Sequence, residues 1–474
     1  MLKRIPKRWL ALFVLCLGDL MIVLDGTIVN VALPSIRDQL QFSEANLVWV
    51  VNAYLLTFGG FLLLSGRLGD LFGARRIFLA GIALFTAASV LCGLSQTQEM
   101  LIVARAVQGI GGAIVSAIAL ALTMQLFIEP GERARAMGVF AFVMSGGGAV
   151  GVLLGGFLTS TFDWSSIFLV NLPVGILVFI AALKLLPKGE RAERSVKIDF
   201  LGALTITSAL ILANYAIVGG NEAGWLSFET LGLLFVSLLL IGLFIFTESI
   251  VKHPLVPLAL FKIRSVVVSN IVGVLWAAAM FAWFMISALY LQSVLGYTPL
   301  QVGLAFLPAN LIMGFLSYEL SAKLVMKYGI KKPLGIGLGL AALGLLSFAF
   351  APVGGTYLAH VLPGMVLLGI GGGIAFNPVL LAAMNDVPEH QAGLASGLVN
   401  TAFMMGGAVG LAILASAAAS TTTQLLASGT NTLAALNAGY HTAFLLGALC
   451  AASAAIIGVV FLKINKLSAH TTGH

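Results

Sequence analysis

Charged residues are scarce in this chain, and their scarcity fixes its broad class. Only 9% of the 474 residues are Asp, Glu, Lys or Arg, whereas 60% are hydrophobic. Soluble globular domains carry about 25% charged residues, because a surface in water needs them. Uninterrupted apolar runs of about 18 or more residues are long enough to cross the hydrocarbon core of a bilayer. The composition therefore predicts an all-α integral membrane protein.

Cysteines and enzyme motifs are equally sparse. The three cysteines, Cys16, Cys92 and Cys450, all lie in apolar runs, so we expect neither a disulfide framework nor a metal site. The sequence contains no G-x-x-x-x-G-K-[ST] phosphate loop, no H-E-x-x-H and no G-x-S-x-G. We therefore expect no cofactor, no enzymatic activity and no direct use of ATP. The polar stretches are too short to form a separate soluble domain.

About fourteen apolar runs follow one another, and the basic residues lie between them. If the runs alternate in direction, nearly all basic residues fall on one side; Arg37 lies on the other and Arg105 inside a run. The positive-inside rule then places both termini in the cytoplasm. The net charge of +7 is explained by contact with anionic lipid, so no nucleic-acid partner is expected. The predicted spans are 9–33, 47–66, 77–95, 100–127, 137–161, 165–186, 198–219, 228–248, 266–294, 299–322, 333–352, 357–384, 394–418 and 440–463.

Two glycine-rich blocks occur twice at nearly the same offset. Residues 109–112 match residues 369–372, and residues 147–151 match residues 406–410. This indicates two copies of a six-helix unit in the same orientation, an arrangement typical of transporters that rock about a site between their halves. The predicted divisions are a first bundle at 1–186, linkers with two inserted helices at 187–264, and a second bundle with a short tail at 265–474.

Asp25 is a carboxylate inside the first span, where a charge is costly and marks a functional site by default. Apolar surroundings favour its neutral form and a nearby cation favours its ionised form, so such a group can load and release protons. Arg105 in span four lies at a similar depth and is the expected partner. A structural ion pair that never titrates is the alternative. Asp19, about 120° around the same helix, is a second candidate for proton or cation binding.

The segment between spans two and three predicts a cytoplasmic gate. Gly66 and Gly73 allow a tight turn, and Asp70 lies among basic residues that include Arg75 and Arg76. A charge pair here would hold the cytoplasmic helix ends together in one state and break in the other. A simple turn with lipid anchors is the alternative.

Small residues line one face of span five. Gly147, Gly151 and Gly155 recur every four residues, with Gly156 beside them, in the small-xxx-small pattern that allows helices to approach closely. We expect this face to be the seam between the two halves; plain packing is the alternative.

Polar and aromatic side chains within the spans are candidates for a substrate cavity. Single amides in membrane helices more often join helices. An aromatic wall would suit a lipophilic cation, through cation–π contact. The candidates are Asn30, Asn52, Tyr54, Gln108, Trp276, Phe281, Phe284, Asn310, Glu319, Asn377 and Asn400.

Taken together, these motifs resemble the major facilitator superfamily, and within it the fourteen-span drug:proton antiporter family. The resemblance covers nearly the whole chain and rests on residues 24–34, 66–76, 105–112, 147–158, 168–175 and 392–397. It implies two six-helix bundles related by a pseudo-two-fold axis, with two inserted helices.

The resemblance also implies proton-coupled export of small lipophilic, mainly cationic drugs by alternating access. The expected partners are a small-molecule substrate, protons and membrane lipid, for a monomer with or without a periplasmic adaptor. The alternatives are a dedicated exporter of one metabolite, antibiotic or lipid, and a membrane sensor that does not transport.

Overall fold

The computed structural model describes residues 6–187, 199–251, 254–387 and 392–463. Every regular element in these ranges is a helix. Twelve of the helices described are long and apolar enough to cross a membrane by length and composition. The chain is therefore a multi-pass, all-helical membrane protein, as its composition predicts.

The first six membrane helices are joined by short connections. A 3₁₀ turn at Asn46–Val48 leads into the second, and the sixth is interrupted at Val170. The helices are α1 (Lys7–Leu40), α2 (Trp49–Phe72), α3 (Ala74–Gly93), α4 (Gln98–Leu126), α5 (Pro130–Thr161) and α6 (Ser166–Leu185).

The second part of the chain begins with the inserted pair. Three of its helices contain a π-helical turn, at Tyr290–Val294, Leu316–Leu320 and Tyr357–Val361. The helices are α7 (Phe200–Ala223), α8 (Phe228–Ile250), α9 (Arg264–Val294), α10 (Pro299–Phe315, continued to Tyr328), α11 (Lys331–Phe348), α12 (Tyr357–Val361 with Leu362–Asn385), α13 (Ala392–Ala427) and α14 (Thr432–Phe461).

Several helices differ in length from the predicted spans. Helix α1 continues through Pro34, since a membrane helix tolerates proline where its neighbours satisfy the backbone. Helices α13 and α14 run into the polar stretch predicted to separate them, leaving only four residues between them. Helix α5, Pro130–Thr161, covers the predicted span 137–161, and α10 with its continuation to Tyr328 covers the predicted span 299–322, although neither is among the twelve helices counted above.

The helix ends follow local chemistry. The Thr97 hydroxyl accepts a hydrogen bond from the Met100 amide and begins α4, and Thr298 with Gln301 forms a capping box at α10. These side chains satisfy backbone donors that have no partner within the helix. Gly73 has φ +92° and ends α2 with a bond from its amide to the Gly69 carbonyl.

The internal repeat is visible in the packing. A Cβ added to Gly109 would meet α2 at the Tyr54 carbonyl, and one added to Gly369 would meet α10 at the Ala309 carbonyl. Likewise Gly151 in α5 lies against α1, whereas Gly410 in α13 lies against α9. Matched glycines thus contact helices that hold the same place in each half. The close contacts between helix backbones that these glycines permit are therefore repeated in the second half, as the glycine blocks are in the sequence.

The two halves and the inserted pair meet through a few helices. α2 packs on α13, and α5 packs on α10. Helix α7 lies in the groove between α2 and α13, and α8 packs mainly on α7. Asn52 marks this junction, since its Nδ2 donates to Asn214 Oδ1 of α7 at 3.0 Å and to the Ala408 carbonyl of α13 at 2.9 Å.

Candidate functional site

Asp25 and Arg105 form a buried ion pair between α1 and α4. Arg105 Nη1 lies 2.5 Å from Asp25 Oδ2, and the two side chains are 1% and 0% exposed. Gln108 Nε2 donates to Asp25 Oδ1 at 2.7 Å, and its Oε1 accepts from Arg105 Nη1 at 2.7 Å. The three side chains therefore close a ring in which each bonds to the other two.

The ring is held by further contacts from α2. Arg105 Nε donates to the Val50 carbonyl at 2.9 Å. The guanidinium also lies over the Tyr54 ring, 4.4 Å from its centroid. Such contacts satisfy a buried cation in addition to its carboxylate. They fix the position of Arg105 independently of Asp25.

Glycines allow α4 to come near enough for these bonds. A Cβ on Gly109 would lie 2.4 Å from the Tyr54 carbonyl, and one on Gly112 would lie 3.0 Å from the Tyr54 hydroxyl. A larger residue at Gly109 would meet the backbone of α2, and one at Gly112 would press on the side chains of Tyr54 and Phe58. The glycines that follow Arg105 in the motif thus position the charge as well as pack the helix.

Three polar residues missed by the sequence interpretation complete the network. Ser89 Oγ of α3 accepts from Gln108 Nε2 at 3.2 Å and from Asn171 Nδ2 of α6 at 2.9 Å. Cys92 Sγ donates weakly to Gln108 Oε1 at 3.5 Å. All three are buried. Of these three residues, Asn171 could have been found from the sequence, because it is a single amide within the motif at 168–175. It lies at the break in α6.

Asp19 lies apart from this network. It is 1% exposed, and neither carboxyl oxygen has a hydrogen-bond partner among the described residues. The Ser116 hydroxyl of α4 approaches it without ordinary hydrogen-bond geometry. The structure therefore separates the two acidic groups of α1. One is paired with a cation, and the other lies near the Ser116 hydroxyl with no cation partner among the described residues.

The predicted gate segment is mostly helical. Helix α2 continues to Phe72, so Gly66 lies within the helix and only Gly73 forms the turn. Arg75 donates to the Leu183 carbonyl in the last turn of α6, and Arg76 is exposed. The Asp70 side chain lies outside the described residues. The loop is thus a one-residue turn, because nothing between Gly66 and Phe72 interrupts the helix.

The glycine face of α5 does not form the seam as predicted. An added Cβ on Gly147, Gly151 or Gly155 would meet α1, at 2.8, 2.1 and 2.7 Å from the nearest atom. Gly156 alone of the four faces the other half, where its Cβ would lie 2.6 Å from the Pro299 carbonyl. Three of the glycines therefore close the first bundle, since a four-residue repeat places them on the α1 face.

Most of the amide candidates for substrate binding are bonded to other helices or to their own. Asn30 donates to the Gly26 carbonyl, Asn310 to the Phe306 carbonyl and Asn377 to the Ser317 carbonyl. Asn52 joins α2, α7 and α13 as described above. The side chain of Glu319 lies outside the described residues. The Oδ1 atoms of Asn52 and Asn310 have no partner among the described residues.

The aromatic candidates gather in the second half. Phe284 stacks on Phe306 at 5.6 Å, and Phe281 lies 5.8 Å from Phe403. Phe403 also lines a small hollow with Trp276 and Asn400, whose cavity volume is about 10 Å³. Pockets for drug-sized ligands measure about 300–1,000 Å³, so in this conformation the hollow is too small for such a molecule.

A contact between the halves at the outer helix ends was not predicted. Arg37 of α1 pairs with Glu44, and its Nη1 donates to Ser293 Oγ of α9 at 3.4 Å. Tyr440 of α14 donates to Glu44 Oε2 at 3.5 Å. We call these four residues the outer latch. The sequence feature that could have indicated this contact is Arg37, the one basic residue that the predicted topology leaves on the outer side.

Comparison with known proteins identifies the family. Residues 15–411 match the sequence profile of the Major Facilitator Superfamily. The chain belongs to this superfamily. It is accordingly a secondary transporter and not an enzyme.

Two relatives cover most of the chain. The puromycin resistance protein of Streptomyces alboniger is 37% identical over 477 residues, which cover 99% of this chain and 94% of that protein. The cephamycin export protein of Amycolatopsis lactamdurans is 37% identical over 407 residues, 85% of this chain and 84% of that protein. The transporter thus resembles bacterial antibiotic resistance and export proteins.

Solved structures support the fold alone. A nucleoside transporter superposes with a TM-score of 0.69 at 12% identity, covering 96% of this chain and 100% of that one. The xylose transporter of E. coli in its inward open conformation gives a TM-score of 0.63 at 15% identity, with 97% of each chain covered.

Proposed function

We propose that this protein is a proton-coupled exporter of small lipophilic compounds and belongs to the fourteen-span drug:proton antiporters. The observation that carries the proposal is the buried ring of Asp25, Arg105 and Gln108. An ionisable pair inside a membrane transporter is costly and is retained where it handles charge or protons. The relatives named for puromycin and cephamycin support a substrate of the antibiotic class.

Proton binding would act through Arg105. A proton that reaches Asp25 from outside neutralises it and removes the carboxylate that balances the guanidinium. Breaking a buried ion pair from one side costs about 3–5 kcal/mol, because a charge is left without its partner. That free energy is enough to shift an equilibrium between two orientations of the halves.

Substrate would bind beside the second half. Trp276, Phe281 and Phe403 offer aromatic surface, and the Asn400 side chain adds a polar group. A lipophilic cation is suited to such a wall through cation–π and apolar contact. Because the hollow is small, we propose that it forms one part of a cavity that widens between the halves.

The remaining architecture follows the same proposal. We propose that the chain crosses a bacterial inner membrane fourteen times and that both termini lie on the cytoplasmic side. The bundles are 1–186 and 265–474, and the inserted pair lies between them. The segment at residues 66–76 acts as the cytoplasmic gate, and a monomer is the working unit.

A dedicated exporter of one antibiotic or metabolite is the second candidate. It is favoured by relatives that are named for a single compound, such as the puromycin resistance protein. A broad relative, the multidrug resistance protein Stp of Mycobacterium tuberculosis, is 36% identical over 402 residues. A panel of substrates separates the two, since a dedicated exporter transports one compound.

The test is uptake into inside-out vesicles that carry an acid-inside pH gradient. A panel of cationic dyes, puromycin and a cephamycin is offered to the wild type and to Asp25→Asn. We expect gradient-driven uptake that an uncoupler abolishes in the wild type, and none in Asp25→Asn, with substrate binding retained. The matched control is Glu99→Gln, an exposed carboxylate in the same bundle. Unchanged uptake in Asp25→Asn would remove proton coupling from this residue and transfer the hypothesis to Asp19.

A further inference from the structure

Asp19 is a buried carboxylate of the N-terminal bundle that the ion pair leaves unexplained. Its carboxyl group is 1% exposed and both oxygens lack a hydrogen-bond partner in the described part of the chain. An ionised carboxylate without partner or solvent costs several kcal/mol or more. The neutral, protonated form is the one that these surroundings tolerate. The structure therefore leaves Asp19 without a cation partner among the described residues, while Asp25 is paired with Arg105.

Tyr54 lies between the two acidic groups. Its ring lies beneath the Arg105 guanidinium at 4.4 Å, and its hydroxyl reaches the level of Gly112, where an added Cβ would lie 3.0 Å away. Ser116, which faces Asp19, is one turn further along α4. The Tyr54 hydroxyl is buried and has no partner among the described residues. It is therefore a polar atom placed between the ion pair and Asp19.

Few other groups can balance charge at this place. The titratable groups that face Asp19 from the described residues are Cys16 on α1 and Tyr54 on α2. Helix α4 presents Ser116, and α5 presents the glycine face that packs on α1. Arg105 is the cation nearest along α4, about three turns outward of Ser116.

The charge of Arg105 must be balanced in both states. It is fully buried, and the one carboxylate it pairs with among the described residues is Asp25. When Asp25 takes a proton, the guanidinium is left as an unpaired charge, which is strongly unfavourable. Asp19 lies about 9 Å from Asp25 along α1 and is the next group that can supply a negative charge.

We propose that Asp19 is a second proton carrier that exchanges charge with Asp25. It holds a proton while Asp25 is paired with Arg105, and it releases that proton inward when Asp25 takes one from outside. The bond broken is Asp19 O–H and the bond formed is Asp25 O–H, so one proton crosses and the bundle keeps its charge. The Tyr54 hydroxyl is the polar link between them. This inference rests on the proposed proton coupling.

The test is infrared spectroscopy of the purified protein at neutral pH, without substrate. A C=O stretching band of a buried protonated carboxylic acid that is lost in Asp19→Asn is expected in the wild type. In Asp25→Asn the band is expected to disappear, because Asp19 ionises to balance Arg105. In the double variant Asp25→Asn with Arg105→Gln the band is expected to return, because the cation that an ionised Asp19 would balance has been removed.

Each possible infrared result leads to a different conclusion about Asp19. An unchanged band in Asp19→Asn would show that this group is not protonated and would overturn the proposal. A band retained in Asp25→Asn would show a permanently neutral acid with no exchange, and would also overturn it. If Asp25→Asn fails to fold, the double variant still decides, because loss of the band there contradicts charge balance. None of these results depends on transport, so vesicle uptake tests the proposed function separately.

Discussion

The two halves share their packing but not their chemistry. By the match of residues 109–112 with residues 369–372, the positions of Arg105 and Gln108 correspond to Met365 and Leu368. Both of these are buried apolar side chains in the second half. The glycines that let helices approach are repeated, whereas the charged ring, among the residues described, is found in the first half. A duplicated scaffold has thus been specialised on one side.

The second half is specialised in another way. It carries the stacked rings of Phe284 and Phe306 and the hollow beside Trp276 and Asn400. Aromatic surface and amides suit ligand contact better than proton transfer. Under the proposed function, the first half handles protons and the second half contacts the substrate. Coupling then requires only that the two halves move as units.

The largest effect is expected from Arg105→Met. This change gives α4 the residue that the second half has at the matching position, Met365, and leaves Asp25 buried without a cation. We expect a loss of about 3–5 kcal/mol in stability, or protonation of Asp25, and no gradient-driven uptake. The control is Met365→Leu, a volume-conserving change that should cost less than about 1.5 kcal/mol. Thermal unfolding and vesicle uptake measure both; equal effects of the two changes would contradict the specialisation.

The shared packing predicts equal effects in the two halves. An added Cβ would lie 2.1 Å from Thr27 Oγ1 at Gly151 and 2.1 Å from the Ala278 Cβ at Gly410. We expect Gly151→Ala and Gly410→Ala each to cost about 1–3 kcal/mol by overpacking.

The control for these two changes is Gly232→Ala in α8, where nothing lies within 4 Å of the added atom. It should not be destabilising, since alanine favours a helix. Thermal unfolding in detergent is the measurement. A large loss for Gly151→Ala with none for Gly410→Ala would show that the packing, too, differs between the halves.

The sequence predicts what depends on composition and local pattern. Scarce charge and long apolar runs give the membrane fold, and glycine spacing gives the repeat. The partnership of Asp25 with Arg105 follows because a membrane leaves a buried cation few alternatives. Each of these inferences needs only one helix or one pair of residues.

The remaining features depend on rotation and contact between distant helices. Gln108 was expected to line a cavity, and only the arrangement of α1 against α4 shows that it closes the ring with Asp25. The glycine row of α5 predicts close packing without stating which neighbour it meets. Ser89 carries no signal in the sequence, since a serine in a span is common and its two partners lie on α4 and α6.

The smallest effect is expected at the outer latch, where the halves differ again. Its charged pair, Arg37 with Glu44, lies within the first half, and the second half contributes only the hydroxyls of Ser293 and Tyr440. The latch bonds that cross between the halves are therefore long and have one neutral partner, so each of them is weak and readily opened. Tyr440→Phe should shift the balance toward outer opening by at most about fivefold, since such a bond contributes about 1 kcal/mol or less.

Spin labels on the exposed residues Gln96 and Ser428, each first changed to cysteine, report this opening as a longer distance between the outer ends of the halves. The matched control is Tyr290→Phe, which removes a hydroxyl bonded at 3.0 Å to the Pro352 carbonyl within the second half. That change should leave the distance distribution as it is in the wild type. An equal shift in both variants would mean that the second half loosens internally, and that the latch does not hold the two halves together.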